Sequence, residues 1–259
     1  MADKSAYVLV RVPKSGSTSL QSIAASALPD ARVFETPETR RTISTGVTPY
    51  EQFRSRRRRW RHFMKAYGAW TEAGFWAGVN REAADGDIVA GHLCYGEPAL
   101  PDFDLRYVTL LRDPRERMLS SFNYDRVGFE RRPGWRRGMA TGQLQASGKT
   151  FEHYLNYIAD PDRRAIQPAS MYVLGDEDPA DDLAFLKDRY FHFGVLDQLD
   201  RFAAGLGEKL GRPASAEWKN RTPKRKHAAL SAAEIRLIET VFARDVEMYE
   251  RARDWVMKG

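Results

Sequence analysis

Apolar and polar positions alternate between two periods along this chain. Short apolar runs with little alternation recur at Tyr7–Val12, Ala31–Glu35, Asp87–Ala90, Tyr107–Leu111 and Phe191–Leu196. Such runs suit strands buried on both faces of a parallel sheet. Between them the period lengthens to that of a helix. Ser17–Leu28 puts Leu20, Ile23, Ala24, Ala27 and Leu28 on one stripe. Thr48–Ala73 carries Tyr50, Phe53, Trp60, Phe63, Met64 and Tyr67 on an apolar side, and Arg115–Tyr124 follows the fourth strand. Ser231–Met257 reads as one long amphipathic helix whose opening "SAAE" is a capping box from Ser231 to Glu234. Alternating strands and helices predict an α/β fold: one P-loop-like, three-layer domain over 1–259 with a central, mostly parallel sheet flanked by helices. The stretch Asp125–Lys149 is rich in Gly, Arg and polar residues and reads as a lid or loop excursion with little regular structure.

Ligands of such sheets sit at the carboxyl ends of the strands. At the end of the first strand the sequence runs "VPKSGSTSL". A helix N-terminus there offers unpaired N–H groups and a weakly positive dipole end. Gly16 lets the backbone curl toward an anion. Ser15, Ser17, Thr18 and Ser19 add hydroxyls, and Lys14 adds a compact positive charge. The order is not that of a nucleoside triphosphatase loop, in which the lysine follows the glycines. Alone, the stretch is equally a capped helix with a solvated lysine. A second turn, "LLRDPRERMLSSFNY", favours the anion site. Arg112 ends a strand, Asp113 caps the next helix, and Pro114 fits its first turn. Ser120 lies about two helical turns further on. Two anion sites at strand ends imply one ligand with two separated anionic groups.

At these residues the chain resembles the sulfotransferases that use 3′-phosphoadenosine-5′-phosphosulfate (PAPS) and release 3′,5′-phosphoadenosine (PAP). "VPKSGSTSL" is similar to their 5′-phosphosulfate loop, P-K-[ST]-[AG]-[ST]-[ST]-S. "LLRDPRERMLSSFNY" is similar to their 3′-phosphate segment, L-R-D-P-x-x-R-x-x-S-x-Y. The closest branch is that of the heparan and chondroitin O-sulfotransferases. The resemblance covers Tyr7–Leu28 and Asp87–Tyr124, is looser in "YFHFGVLDQLDRFAAGLGEKLG" and the final helix, and fails over Phe34–Gly86 and Asp125–Gln167. It implies transfer of a sulfuryl group from PAPS to a hydroxyl or amine by in-line displacement. Lys14 would meet the phosphosulfate, and Ser15, Gly16, Ser17, Thr18 and Ser19 would cradle it. Arg112 and Ser120 would hold the 3′-phosphate. The basic loop "KNRTPKRKH" would add Lys224 and Arg225, with Lys226 beside them, although a solvated basic loop fits equally. No metal is required.

Transfer to an alcohol needs a proton acceptor. His92, in "DIVAGHLCYG" past the third strand, matches the histidine base of that branch, and Gly91 before it would leave room for an acceptor. Glu35, at the end of the second strand, is the alternative base. His62 falls in an arginine-rich run, and His192 reads as a packed residue. Cys94, the one cysteine, reads as packing, excludes an internal disulfide and fits a reducing cytoplasm.

Composition narrows the picture further. Nothing approaches the ~20 consecutive apolar residues of a membrane span, and the N-terminus has no signal-peptide pattern. Net charge is +6, from 41 Lys and Arg against 35 Asp and Glu. Its local source is "RSRRRRWRHFMK", Arg54–Lys65, which fits an anionic acceptor, a solvated helix face or nucleic acid. The expectation is therefore a cytoplasmic, bacterial PAPS-dependent enzyme acting on a small molecule or saccharide, with no nucleic-acid partner. A nucleotide-dependent kinase, or a nucleic-acid-binding module using Arg54–Lys65, is the rival reading.

Overall fold

The computed structural model describes residues 4–36, 72–138, 140–160, 166–215 and 229–258. The predicted Arg-rich helix, the Lys224–Arg225 loop, His62 and His227 lie outside the described residues.

Five parallel strands form one sheet in the order β2-β3-β1-β4-β5. They are β1 (Lys4–Val10), β2 (Val33–Glu35), β3 (Ile88–Gly91), β4 (Phe103–Leu111) and β5 (Tyr190–Val195). β1 sits at the centre, with Val10 opposite Gly91 on one side and opposite Thr109 on the other. All five runs read from the sequence are strands, within a few residues at their ends. The α/β, three-layer reading holds, and every pairing among the described strands is parallel.

The layers follow from β1 itself. Ala6, Val8 and Val10 face one side, and Tyr7 and Leu9 face the other. Over the first face lie α2 (Glu72–Glu82), α7 (Ala169–Leu174), α8 (Asp182–Arg189) and α11 (Ala243–Lys258), contributing Trp76, Val173, Leu186 and Met248 to the core. Over the second lie α1 (Ser17–Ala27) and α9 (Leu199–Leu210), with Leu20, Ile23, Phe202 and Leu206. A third cluster joins α3 (Pro114–Glu130), α5 (Gly142–Ser147), α6 (Phe151–Ala159) and α10 (Ala232–Val241) through Met118, Phe122, Ala146, Tyr154 and Ile238.

Two expectations are corrected. The stretch Asp125–Lys149 is largely helical. α3 runs on to Glu130, stabilised by the Arg126–Glu130 pair one turn apart. The short α4 (Gly134–Arg137) follows, with the Arg137 guanidinium donating to the carbonyls of Glu130 and Arg132. Thr141 then caps α5. The long C-terminal helix is two helices. The Ser231–Glu234 capping box forms as read, but the chain leaves helical geometry at Phe242, which is buried in the third cluster, before α11 begins. That bend carries the carboxylate of Asp245 into the protein interior. Among the described residues no helix is long and apolar enough to cross a membrane.

Candidate functional site

The loop after β1 has an unusual backbone. Lys14 has φ 66°, and among the described residues it is the one non-glycine with positive φ. Gly16, at the N-cap of α1, has φ 79° and no side chain to cap the helix. A left-handed conformation at a lysine is costly and persists only where its surroundings enforce it. Here the enforcement is visible. Arg117, fully buried on α3, donates from Nε to the Pro13 carbonyl at 3.1 Å. Arg112, at the end of β4, donates from Nη1 to the Lys14 carbonyl at 3.1 Å. The two sequence motifs are thereby bonded to each other at the ends of adjacent strands.

Arg117 is itself held by Asp245, 3.3 Å away, both side chains being 1% exposed. Asp245 also accepts from the N–H groups of Ala169 and Ser170 at the start of α7. Burial lowers the Arg117 pKa, and the Asp245 carboxylate opposes that shift. The β1 loop, α3, α7 and α11 thus meet at one buried ion pair.

Three donors at these strand ends are buried without any partner: Arg11 Nε, Ser15 Oγ and Arg112 Nε, the last two within the two turns. The outer nitrogen of Arg112, Nη2, leans on Glu116 at 3.3 Å. Asp113 caps α3 through the Arg115 N–H, as its place before Pro114 implied. Ser120 is half-buried on α3, one turn before Tyr124 and so on the same helix face. Lys14 reaches that face, with Nζ 3.0 Å from the centre of the Tyr124 ring. Burial drives the Lys14 pKa down to about 8; Asp125 pulls it back up and Arg112 pushes it further down. Ser17 is half-buried, Thr18 exposed and Ser19 buried in the first turn of α1.

His92 follows β3, on the opposite side of β1 from Arg112. Its Nδ1 bonds the carbonyl of Arg11. A carbonyl only accepts, so Nδ1 carries the proton, and Nε2 is the basic nitrogen of the neutral ring. The Arg11 N–H in turn bonds the Gly91 carbonyl at 2.9 Å. The space over Gly91, expected to admit an acceptor, is taken by the Thr36 side chain: a Cβ built on Gly91 would fall 1.6 Å from Thr36 Oγ1. Glu35 is an exposed carboxylate that accepts from Gln21 at 3.1 Å and lies 3.8 Å from Arg11.

The remaining sequence candidates are structural. His192 packs against Phe202, with ring centres 4.8 Å apart, and bonds its carbonyl, and burial lowers its pKa to about 4, so the ring is neutral at physiological pH. Cys94 is buried in the core. Sequence reasoning assigned no role to Arg117, Asp245, Tyr124, Asp125 or Tyr154. Arg117 and Tyr124 carried a signal, their place in "LLRDPRERMLSSFNY"; the others reach the site only through tertiary contacts.

No protein-family model matches the chain, and no curated protein matches its sequence. Among solved structures, the chain is similar to a sulfotransferase from Alicyclobacillus acidocaldarius, with 14% identity, a TM-score of 0.48, and coverage of 96% of this chain and 95% of that one.

Proposed function

We propose that this protein is a sulfotransferase that moves a sulfuryl group from PAPS to a hydroxyl or amine of a small molecule or saccharide. The observation that carries the reading is the pair of orphan donors, Ser15 Oγ and Arg112 Nε, in two turns bonded to each other at the strand ends. Leaving a buried donor without an acceptor costs about 1–3 kcal/mol. A ligand with two anionic groups would supply both acceptors. The left-handed backbone at Lys14 and Gly16, beside the start of α1, supports the same fit. The resemblance of both motifs to PAPS-binding segments names the ligand.

PAPS supplies an activated sulfuryl group on a phosphate leaving group. Ser15, Gly16, Ser17, Thr18 and Ser19 would cradle the 5′ end. Arg112 and Ser120 would hold the 3′-phosphate, with Lys224 and Arg225 joining them if their loop closes as the resemblance implies. Lys14 would meet negative charge growing on the bridging oxygen as the sulfur–oxygen bond breaks, which is stabilisation in the transition state more than in the ground state. His92 would take the acceptor proton at Nε2 while Nδ1 stays fixed by Arg11. Glu35, already engaged with Gln21 and Arg11, is the weaker candidate for that step.

Thermal shift with PAP, PAPS, ATP with magnesium, and RNA tests the reading. Stabilisation by PAP and PAPS well above that by the other two is expected. Preferential stabilisation by ATP with magnesium, or by RNA, would replace it with the kinase or the nucleic-acid-binding reading.

A further inference from the structure

We propose that Tyr124 is a positioning residue for Lys14: its ring is the seat on which the loop lysine rests its ammonium, holding that charge against the helix that carries the second turn. This role deepens the sulfuryl-transfer reading and rests on it only for its kinetic arm.

The geometry begins with two successive loop residues held by one helix. Arg117 of α3 donates to the Pro13 carbonyl, and the Lys14 ammonium lies over the Tyr124 ring, with Nζ 3.0 Å from its centre. Residues seven apart share a helix face and lie ~10.5 Å apart along the axis. Ser120 stands on that face between them, one turn before Tyr124. The Lys14 carbonyl accepts from Arg112, and its backbone is left-handed. The loop end of the lysine is therefore set from β4 and its far end from α3.

The ring is the contact that settles the ammonium. Lys14 is half-buried, and among the described residues it forms no ion pair. Glu116 is paired with Arg112. Asp125, next to Tyr124 on α3, accepts from the Tyr154 hydroxyl at 2.7 Å and from Gln143 at 2.5 Å. An ammonium partly withdrawn from water, with no carboxylate at hand, is attracted by the negative face of an aromatic ring. Tyr124 has no evident task in the core. It is 66% exposed and belongs to none of the three apolar clusters. Its conspicuous contact is the lysine. A free lysine stem samples many rotamers, and ordering it is entropically costly. The ring orders it in the folded protein itself, which is the preorganisation that stabilisation of a developing charge requires.

The test has a structural arm and a kinetic arm. The first is NMR of the protein alone, without donor or acceptor. The methylene protons next to Nζ of Lys14 lie over the ring, so its ring current should place them upfield of those of the other lysines. Their signal is assigned by its loss in Lys14→Met. Tyr124→Phe should keep the upfield position, and Tyr124→Leu should abolish it. Both variants should melt near the wild-type temperature, because the side chain is exposed. In the kinetic arm, kcat is followed as PAP formed from PAPS. It should fall about 5–30-fold in Tyr124→Leu, with KM for PAPS little changed, and be rescued in Tyr124→Phe. In a Lys14→Met background the Tyr124→Leu change should add almost nothing, since the ring acts through the lysine. Lys14 methylenes at the ordinary lysine position in the wild type, or an unchanged upfield signal in Tyr124→Leu, would overturn the proposal. Equal losses of kcat in the Phe and Leu variants, or a full further loss in the Lys14→Met background, would overturn it too. Absence of PAP formation in the wild type would defeat the sulfotransferase reading and leave the NMR result standing.

Discussion

Replacing Asp245 by Asn should be among the most damaging conservative changes in this protein. The side chain is 1% exposed and receives three donors. Arg117 Nη1 and the Ala169 N–H converge on Oδ2 at 3.3 and 2.6 Å, and the Ser170 N–H bonds Oδ1 at 2.9 Å. An amide offers one oxygen, so its NH2 must face a donor on one side. The charge loss is the larger effect. At 3.3 Å with an effective dielectric constant of about 20, the ion pair is worth ~5 kcal/mol before desolvation. Removing one partner strands the buried guanidinium of Arg117, which costs about 3–5 kcal/mol. Against a typical total of about 5–15 kcal/mol, that is a large fraction of the stability. Urea unfolding followed by circular dichroism would measure it, together with Arg117→Met and the double variant. The double variant should cost clearly less than the sum of the two single changes, because each strands what the other removes. The Pro13 carbonyl also loses its donor when Arg117 is replaced, so PAP affinity should fall in Arg117→Met even where the protein stays folded. A loss below about 1 kcal/mol in Asp245→Asn would refute the view that this pair organises the β1 loop.

Three other outcomes follow from the same geometry. Gly16→Ala places a methyl 2.6 Å from Leu196 Cδ1 at φ 79°, so differential scanning calorimetry should show a loss of about 1–2 kcal/mol from the backbone conformation alone, with weaker PAP binding. His92→Ala should lower transfer about 10²–10⁴-fold while PAP affinity measured by calorimetry stays near wild type, and wild-type turnover on an authentic acceptor would move the base elsewhere. Because the Lys14 pKa lies below its ordinary value, at about 8, its charge is lost as pH rises through that value. The kcat/KM for PAPS should therefore fall above about pH 8, whereas the alkaline limb of kcat, measured with the anionic donor bound, should lie at higher pH.

The central strands were legible because β3 and most of β1 and β4 are buried on both faces and so appear as apolar runs; β2, with Val33 and Glu35 exposed, was legible only from its β-type residues. Their order was not, since nothing in β1, β3 or β4 taken singly says that β1 lies between the other two. The two candidate turns were legible because lysine, glycine and hydroxyls at a strand end have a local chemical meaning. Their joining by Arg112 and the Lys14 carbonyl depends on the β1–β4 pairing. The continuation of α3 past Tyr124 was hidden because Asp125, Arg126 and Glu130 break the apolar stripe; Asp125 accepts from Tyr154 and Gln143, and the other two pair with each other. The bend at Phe242 was hidden for the opposite reason. The apolar pattern of α10 and α11 continues through it, and only the burial of Asp245 against Arg117 reveals that the axis has turned.

The central claim is that the joined turns hold a nucleotide by two separated anionic groups, with Arg112 on the 3′-phosphate. Calorimetric titration of wild type and Arg112→Ala with PAP and with adenosine 5′-phosphosulfate, which lacks the 3′-phosphate, tests it most directly. The account predicts that wild type binds PAP more tightly and that Arg112→Ala weakens PAP binding far more than adenosine 5′-phosphosulfate binding. Equal losses for both ligands, or no binding of PAP by wild type, would contradict it.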